Sequence, residues 1–156
     1  MLHRQSPPRR SRRKRGTQSQ AIGKSRGGIT TKILALTDAL GKLADFCLLP
    51  GQAHDLRGVP DLLDGLAAGH MLADRAFDAD WLRDALSQRD IAPVIPPRKN
   101  RKHPASYDEE MYKWRHLVEN FFQKIKDYRG IETRYCKTDS SFTAFISLAA
   151  TILWLK

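Results

Sequence analysis

The sequence predicts an α/β domain in which a mixed sheet is flanked by helices, and three observations support this class. Runs rich in β-branched residues alternate with runs whose apolar residues recur at helical spacing. The 156 residues, 41% of them hydrophobic, are sufficient for one buried core and do not require two domains. The predicted order of strand, hairpin, helix, strand, helix, strand and long helix is that of an α/β domain with a mixed sheet.

The first half of the chain is predicted to contain a basic segment, a hairpin and a short helix. Residues 1–20 are rich in Arg and Ser and almost without apolar side chains, which predicts a disordered segment in isolation. The runs ITTKILAL and LADFCLL are joined by DALG and predict a β-hairpin. The next run, DLRGVPDLLDGLAAG, predicts a short helix capped by Asp55 and broken or bent at Pro60.

The second half is predicted to alternate short strands and helices. HMLADRAFD predicts a short buried strand that ends at Asp74, and APVIPP predicts a further strand. ADWLRDALSQR between them predicts a helix capped by Asp78 or Asp80. The basic loop RKNRKHP precedes a long helix from about Tyr107 to Tyr128.

The closing run FTAFISLAATILWL predicts a buried terminal helix, because it is shorter than the roughly 18 residues that a membrane-spanning helix needs. The three tryptophans lie in helical apolar patterns and are predicted to be core residues, namely Trp81, Trp114 and Trp154. No membrane partner is therefore expected.

Charge and cysteine content restrict the function further. The 27 Lys and Arg against 17 Asp and Glu give a net charge of +10, which favours nucleic acid or another polyanion as partner. Much of the excess precedes Asp38, the first acidic residue. Cys47 and Cys136 stand far apart without a nearby Cys/His cluster, which argues against zinc and a disulfide framework and favours a reduced cytosolic setting.

One motif carries most of the functional information. The run YKWRHLVENFFQKIK places Tyr112, Arg115, Glu119 and Lys126 within roughly 60° of one another on a helix, as a single polar stripe. A carboxylate between Arg and Lys suits a metal ligand beside phosphate-binding cations. The alternative is a solvated helix face, on which an Arg115–Glu119 pair would contribute only about 0.3 to 0.5 kcal/mol.

The spacing Tyr-x2-Arg-x3-Glu-x6-Lys resembles the helix that carries the catalytic glutamate in bacterial insertion-sequence transposases of the DDE type. The resemblance extends from AIGKSRGGITTKI to AATILWL, and ADRAFD is similar to the segment that bears the family's second catalytic aspartate. It implies a partial ribonuclease-H-like catalytic domain over residues 21–156, whose first strand is missing or replaced by the basic segment. It also implies catalytic and metal-binding roles for Asp74 and Glu119, and DNA contacts for Tyr112, Arg115 and Lys126.

The same resemblance implies a cofactor and partners. Transposases of this type cut phosphodiester bonds and join a freed 3′-hydroxyl to target DNA with two Mg²⁺ ions, or with Mn²⁺ in their place. The expected partners are DNA, as transposon ends and as target, an upstream transposase fragment and a second copy of the chain. The expected location is the bacterial cytoplasm, at the nucleoid when the protein is bound to DNA.

The sequence departs from the family at the first catalytic acid. That residue precedes the stretch matched by Gly27 and Gly28, where this chain has no Asp or Glu. Asp38, in TDALG, is expected to serve a hairpin turn instead, and Asp45 is a similarly weak substitute. The isolated chain is therefore expected to be inactive or nearly so, and frameshift fusion and decay of the element both remain open.

Two other functions fit the composition. A non-catalytic DNA-binding remnant would retain the charge and lose the chemistry. A basic structural protein associated with RNA would prefer RNA to DNA and would be insensitive to Glu119→Gln.

Overall fold

The computed structural model describes residues 20–25 and 28–155, so the predicted disordered segment, apart from Gln20, lies outside the described residues. The chain is an α/β fold, as predicted. Its strands are β1 (Gly23–Ser25), β2 (Gly28–Thr37), β3 (Leu43–Pro50), β4 (His70–Leu72) and β5 (Ala92–Val94). Its α-helices are α1 (Val59–Leu63), α2 (Asp80–Ser87), α3 (Glu109–Tyr112), α4 (His116–Lys126), α5 (Arg129–Glu132) and α6 (Asp139–Trp154). Short 3-10 helices span Asp55–Gly58, Arg75–Phe77 and Lys113–Arg115.

The predicted hairpin is formed by β2 and β3. The two strands pair antiparallel from Thr31 opposite Pro50 to Thr37 opposite Leu43. Asp38 closes the turn, because its Oδ1 accepts hydrogen bonds from the backbone N–H groups of Leu40 and Lys42, each at 2.9 Å. Asp38 therefore has the local turn role that the sequence predicted.

The strand pairs differ in one respect from the single mixed sheet that was predicted. The strands β1, β2 and β3 form an antiparallel sheet, whereas β4 and β5 form a separate parallel pair. Within residues 20–25 and 28–155, no strand pairing joins the two sheets. Antiparallel and parallel pairs are thus both present, but in different sheets.

Two hydrophobic cores lie on opposite faces of the hairpin, because neighbouring residues of a strand point to opposite sides. Leu34 packs against a core built from α1, α2 and the segments beside them, which contains Val59, Leu63, Ala73, Leu82, Leu86, Ile91 and Ile95. Ile33 and Ala35 pack against the other core, formed by α4, α5 and α6, which contains Phe121, Ile125, Ile131, Phe142, Ile146, Ala149 and Ala150. The β2–β3 hairpin is therefore the middle layer of three.

The short helix after the hairpin begins differently from the prediction. Its first turn is the 3-10 helix Asp55–Gly58, and the N-cap is His54, whose Nδ1 accepts a hydrogen bond from the Leu56 N–H at 3.3 Å. The Asp55 carboxylate instead pairs with Lys32 at 2.9 Å. Pro60 lies in the first turn of α1 rather than at a bend, where its missing N–H costs no helical hydrogen bond.

A glycine lets this segment approach the hairpin closely. A Cβ added to Gly58 would lie 2.5 Å from Cys47 Sγ and 2.9 Å from a methyl carbon of Leu34. Only a residue without a side chain fits between the 3-10 helix and the sheet.

Two further predictions about helices were wrong, and a third was correct only in part. The N-cap of α2 is Ala79, which makes no side-chain hydrogen bond, so neither Asp78 nor Asp80 caps it. The helix predicted from Tyr107 to Tyr128 begins at Glu109 and is divided into α3, a 3-10 turn and α4. The three tryptophans are exposed rather than buried in the core, at 44% for Trp81, 61% for Trp114 and 47% for Trp154.

The closing helix α6 was predicted correctly as a helix, and its Phe142 and Ile146 are buried. Across the described ranges of the chain, none of the helices combines the length and the apolar character that crossing a bilayer requires.

One backbone position gives a stability prediction. Asp90, just after α2, has a φ of 57°, a left-handed conformation that favours glycine. We expect Asp90→Gly to raise the free energy of unfolding by about 0.5 kcal/mol, measured by urea denaturation. The matched control is Asp84→Gly inside α2, where loss of helix propensity should lower stability by about 0.3 kcal/mol. Equal signs for the two variants would contradict the prediction.

Candidate active site

The first candidate acid, Asp74, follows β4 at the start of a 3-10 turn. Its backbone is extended, with φ of −76° and ψ of 172°, and its Oδ1 accepts a hydrogen bond from the Ala76 N–H at 2.7 Å. The side chain is half-buried. Within the described part of the chain, Oδ2 accepts no hydrogen bond, which leaves one carboxylate oxygen available to a ligand.

The second candidate acid, Glu119, lies in the first turn of α4. The buried Phe121 and Ile125 of the same helix face the core, whereas the Glu119 side chain is 53% exposed. Its Oε1 lies 2.5 Å from a guanidinium nitrogen of Arg115. This cation four residues earlier holds the carboxylate in one direction through a charge-assisted hydrogen bond.

The 3-10 turn of Lys113–Arg115 determines how the start of the stripe is arranged. In a 3-10 helix, residues three apart lie directly above one another. Accordingly, the guanidinium of Arg115 lies 5.7 Å from the centre of the Tyr112 ring. The Tyr112 ring also meets that of Tyr107 edge-on, at 5.6 Å between centres. Tyr112, Arg115 and Glu119 thus form one contiguous group, as the spacing predicted.

The fourth member of the stripe, Lys126, is the last residue of α4 and is exposed. Its ammonium group has no hydrogen-bond or ion-pair partner among the described residues, so it can bind an anion without first breaking a contact. It lies near the C-terminal end of the helix, where the helix dipole also favours a cation.

The two acids do not form a complete metal site with other described residues. Asp74 bonds to the turn that it caps, and Glu119 bonds to Arg115. In residues 20–25 and 28–155, no group of three or more His, Cys, Asp or Glu side chains is placed to hold a metal ion. The available donors are carboxylate oxygens, which Mg²⁺ prefers, but the described residues supply too few of them.

A buried ion network next to the first acid was missed by the sequence analysis. The side chain of Asp78 is fully buried and pairs with Arg83 at 2.8 Å and Arg101 at 2.9 Å, and it accepts a hydrogen bond from the Arg98 N–H at 2.8 Å. Burial alone would raise the pKa of Asp78, but the hydrogen bonds from Arg98 and Arg83 and the charges of Arg83 and Arg101 outweigh it, so the pKa is lowered.

Comparison with known proteins identifies the family. Residues 4–155 match the family described as the transposase DDE domain, and the chain belongs to that family. The chain is also 38% identical over 130 residues to a protein from Brucella ovis that is named as a transposase for insertion sequence element IS6501. This alignment covers 82% of the chain and all of that relative. No solved structure matches the chain.

Proposed function

We propose that this chain takes part in metal-dependent DNA strand cleavage and strand transfer during transposition of an insertion sequence. The observation that carries the proposal is the contiguous group of Tyr112, Arg115 and Glu119 on one helical face, in a chain of the transposase DDE domain family. In this proposal Asp74 and Glu119 are catalytic metal ligands, and Tyr112, Arg115 and Lys126 contact the phosphates of the transposon end.

Each side chain has a role that its surroundings support. Arg115 holds the Glu119 carboxylate in one direction through its hydrogen bond, and its remaining N–H groups can donate to a DNA phosphate. Lys126 supplies a second phosphate contact further along α4. Asp74 is held at a fixed angle by the turn that it caps, with Oδ2 available. Bound Mg²⁺ or Mn²⁺ would activate the attacking oxygen and stabilise the leaving oxygen of an in-line displacement.

We also propose that residues 21–156 form a partial ribonuclease-H-like core. An antiparallel hairpin sheet followed along the chain by a parallel strand pair supports this, as do the helices packed on both faces of the hairpin. The lack of any pairing between the two sheets in the described residues is what a core without its first strand would give.

The isolated chain is proposed to be inactive in cleavage. No Asp or Glu precedes Asp38, and the Oδ1 of Asp38 is already engaged by two backbone N–H groups of the hairpin turn. Asp45 lies on the exposed part of β3 and bonds to the neighbouring Phe46 N–H. An upstream transposase fragment that carries an acid on a β-strand would complete the site, and DNA at the bacterial nucleoid would be the substrate.

The test is a complementation assay. Donor DNA that carries the ends of the element is incubated with Mg²⁺ or Mn²⁺ and either the chain alone or the chain with the upstream fragment. We expect no cleavage by the chain alone, and cleavage and strand transfer by the mixture. Robust turnover by the chain alone would contradict the proposed inactivity, and no turnover by a mixture shown to associate would contradict the catalytic role.

A second candidate function is a non-catalytic DNA-binding remnant. The observation that favours it is the lack of a three-ligand group in the described ranges of the chain. It predicts DNA binding without strand transfer under every condition of the assay above. The third function considered from composition, a structural protein associated with RNA, gains no support from the family match.

A further inference from the structure

A charged cleft lies between the 3-10 turn after Asp74 and the basic loop that follows β5. Its volume is about 760 Å³, and Leu56 and Ala79 contribute to its wall. Its charged lining comprises four cations, Arg75, Arg98, Lys99 and Arg101, and two carboxylates, Asp78 and Asp80. None of the four cations belongs to the stripe of Tyr112, Arg115 and Lys126.

The basic loop is held against the cleft by contacts to the buried carboxylate of Asp78. The carboxylate of Asp78 accepts hydrogen bonds from the Arg98 N–H and from the guanidinium of Arg101, at 2.8 Å and 2.9 Å. The Nε of Arg101 also donates to the His103 carbonyl at 3.0 Å. Pro96 and Pro97 directly precede the loop, and their rings restrict the backbone at its start. The side chains of the loop therefore start from a predetermined backbone position, which lowers the entropic cost of binding.

Two cations of the cleft have no partner of their own. The side chains of Arg75 and Lys99 are exposed and make no hydrogen bond or ion pair with any described residue. Arg98 uses one nitrogen to donate to the Ala76 carbonyl at 2.8 Å, which leaves further N–H groups available. Both carboxylates of the cleft are occupied, Asp78 by Arg83 and Arg101 and Asp80 by Arg101. The unpaired charge in the cleft is therefore positive.

We propose that this cleft binds the sugar-phosphate backbone of a DNA strand, with Arg75 and Lys99 contacting phosphates and Arg98 assisting them. Cations spread over two separate segments suit a chain of phosphates better than one small anion. Since Asp74 caps the turn that carries Arg75, a strand in the cleft would pass next to that acid. The choice of DNA over another phosphate polymer rests on the proposed function, whereas the phosphate chemistry rests on the cleft.

The test compares two double variants of the same charge change. In Arg75→Gln/Lys99→Gln the two unpaired cations of the cleft are removed. In the control, Arg89→Gln/Lys137→Gln, one Arg and one Lys are removed from exposed positions outside the cleft. Binding of a labelled DNA duplex is measured by fluorescence anisotropy over a series of salt concentrations, and thermal unfolding of each protein is followed in parallel.

We expect the cleft variant to bind DNA about tenfold more weakly at low salt, with the slope of log affinity against log salt reduced by about two. The control should stay within about twofold of the unaltered chain. Equal losses in both variants would overturn the proposal, because only overall charge would then matter. The melting temperatures should be unchanged, since the side chains of Arg75 and Lys99 make no hydrogen bond or ion pair with a described residue.

Two further arms separate this proposal from the proposed function. Arg115→Gln/Lys126→Gln is measured in the same way, and a loss confined to that variant would overturn the cleft proposal while leaving the stripe as the DNA contact. A loss confined to the cleft variant would support the cleft and contradict the DNA role of the stripe. Equal or tighter binding of an RNA duplex of the same sequence would overturn the assignment of the ligand as DNA.

Discussion

Replacement of Asp78 by alanine is expected to lower the free energy of unfolding by about 3 to 5 kcal/mol. The carboxylate is fully buried and accepts from Arg83, Arg101 and the backbone of Arg98. Its removal leaves the nearly buried guanidinium of Arg83 without a counterion, although that group keeps its hydrogen bond to the Ile95 carbonyl at 2.7 Å. Chemical denaturation followed by circular dichroism measures the loss.

The matched control is Asp80→Ala, two residues away. Asp80 also pairs with Arg101, but its side chain is 80% exposed, so the expected loss is below about 1 kcal/mol. Similar losses in the two variants would show that burial of Asp78 does not determine its contribution.

The stability lost in Asp78→Ala is expected to depend on pH in one direction. The pKa of Asp78 is lowered in the folded state relative to the usual value of about 3.9 in an unfolded chain. Its contribution to stability is therefore complete above about pH 5 and is lost as the pH falls through the folded pKa. The difference in free energy of unfolding between the unaltered chain and Asp78→Ala should therefore become smaller below about pH 4. A gap that widens in acid would contradict the direction of the pKa shift.

In the protein completed by the upstream fragment, Glu119→Gln is expected to reduce strand transfer by about 100-fold or more, the scale of losing one group that stabilises charge in a transition state. Glutamine keeps the size of the side chain and removes its negative charge, and with it a hard oxygen ligand. The measurement is the rate of strand-transfer product formation at saturating Mg²⁺, with DNA binding measured on the same preparations.

Glu110→Gln provides the control for that variant. Glu110 is also an exposed carboxylate and lies in α3, shortly before α4. It pairs with Lys113 three residues later, much as Glu119 pairs with Arg115 four residues earlier. Its loss should change the rate by less than about twofold, because an exposed pair contributes little. If Glu119→Gln kept the rate of strand transfer of the unaltered chain, the proposed catalytic role of Glu119 would be wrong.

Local patterns were sufficient to predict much of this fold. The hairpin follows from two β-branched runs around a turn with Asp38, and the structure pairs those runs antiparallel with one register shift between Leu36 and Thr37. The stripe follows from helical periodicity, which survives the 3-10 turn because the backbone stays right-handed through Tyr112 and Arg115. The family match confirmed the resemblance that these residues carry. The catalytic roles of Asp74 and Glu119 stay predictions.

Features that depend on distant contacts could not be predicted from local patterns. Asp78 and Asp80 were equivalent candidates for a helix cap, and Arg101 pairs with both of them. The buried Asp78 is distinguished by its contacts with Arg83 and with the backbone N–H of Arg98, which is distant in the sequence. Trp81 was placed in the core on periodicity, yet its helix buries Leu82, Arg83 and Leu86. Arg83 lies on the buried face because it pairs with Asp78, and helical periodicity alone does not predict that pair.

The position of the hairpin between two cores has a consequence for cooperativity. Leu34 belongs to the core beneath Asp74, whereas Ile33 and Ala35 belong to the core beneath Glu119. A slip of β2 by one residue would exchange these faces and place every side chain in the wrong core. The register of β2 therefore couples the layer that carries Asp74 to the layer that carries Glu119. We expect both layers to unfold in one cooperative transition, measured by calorimetry.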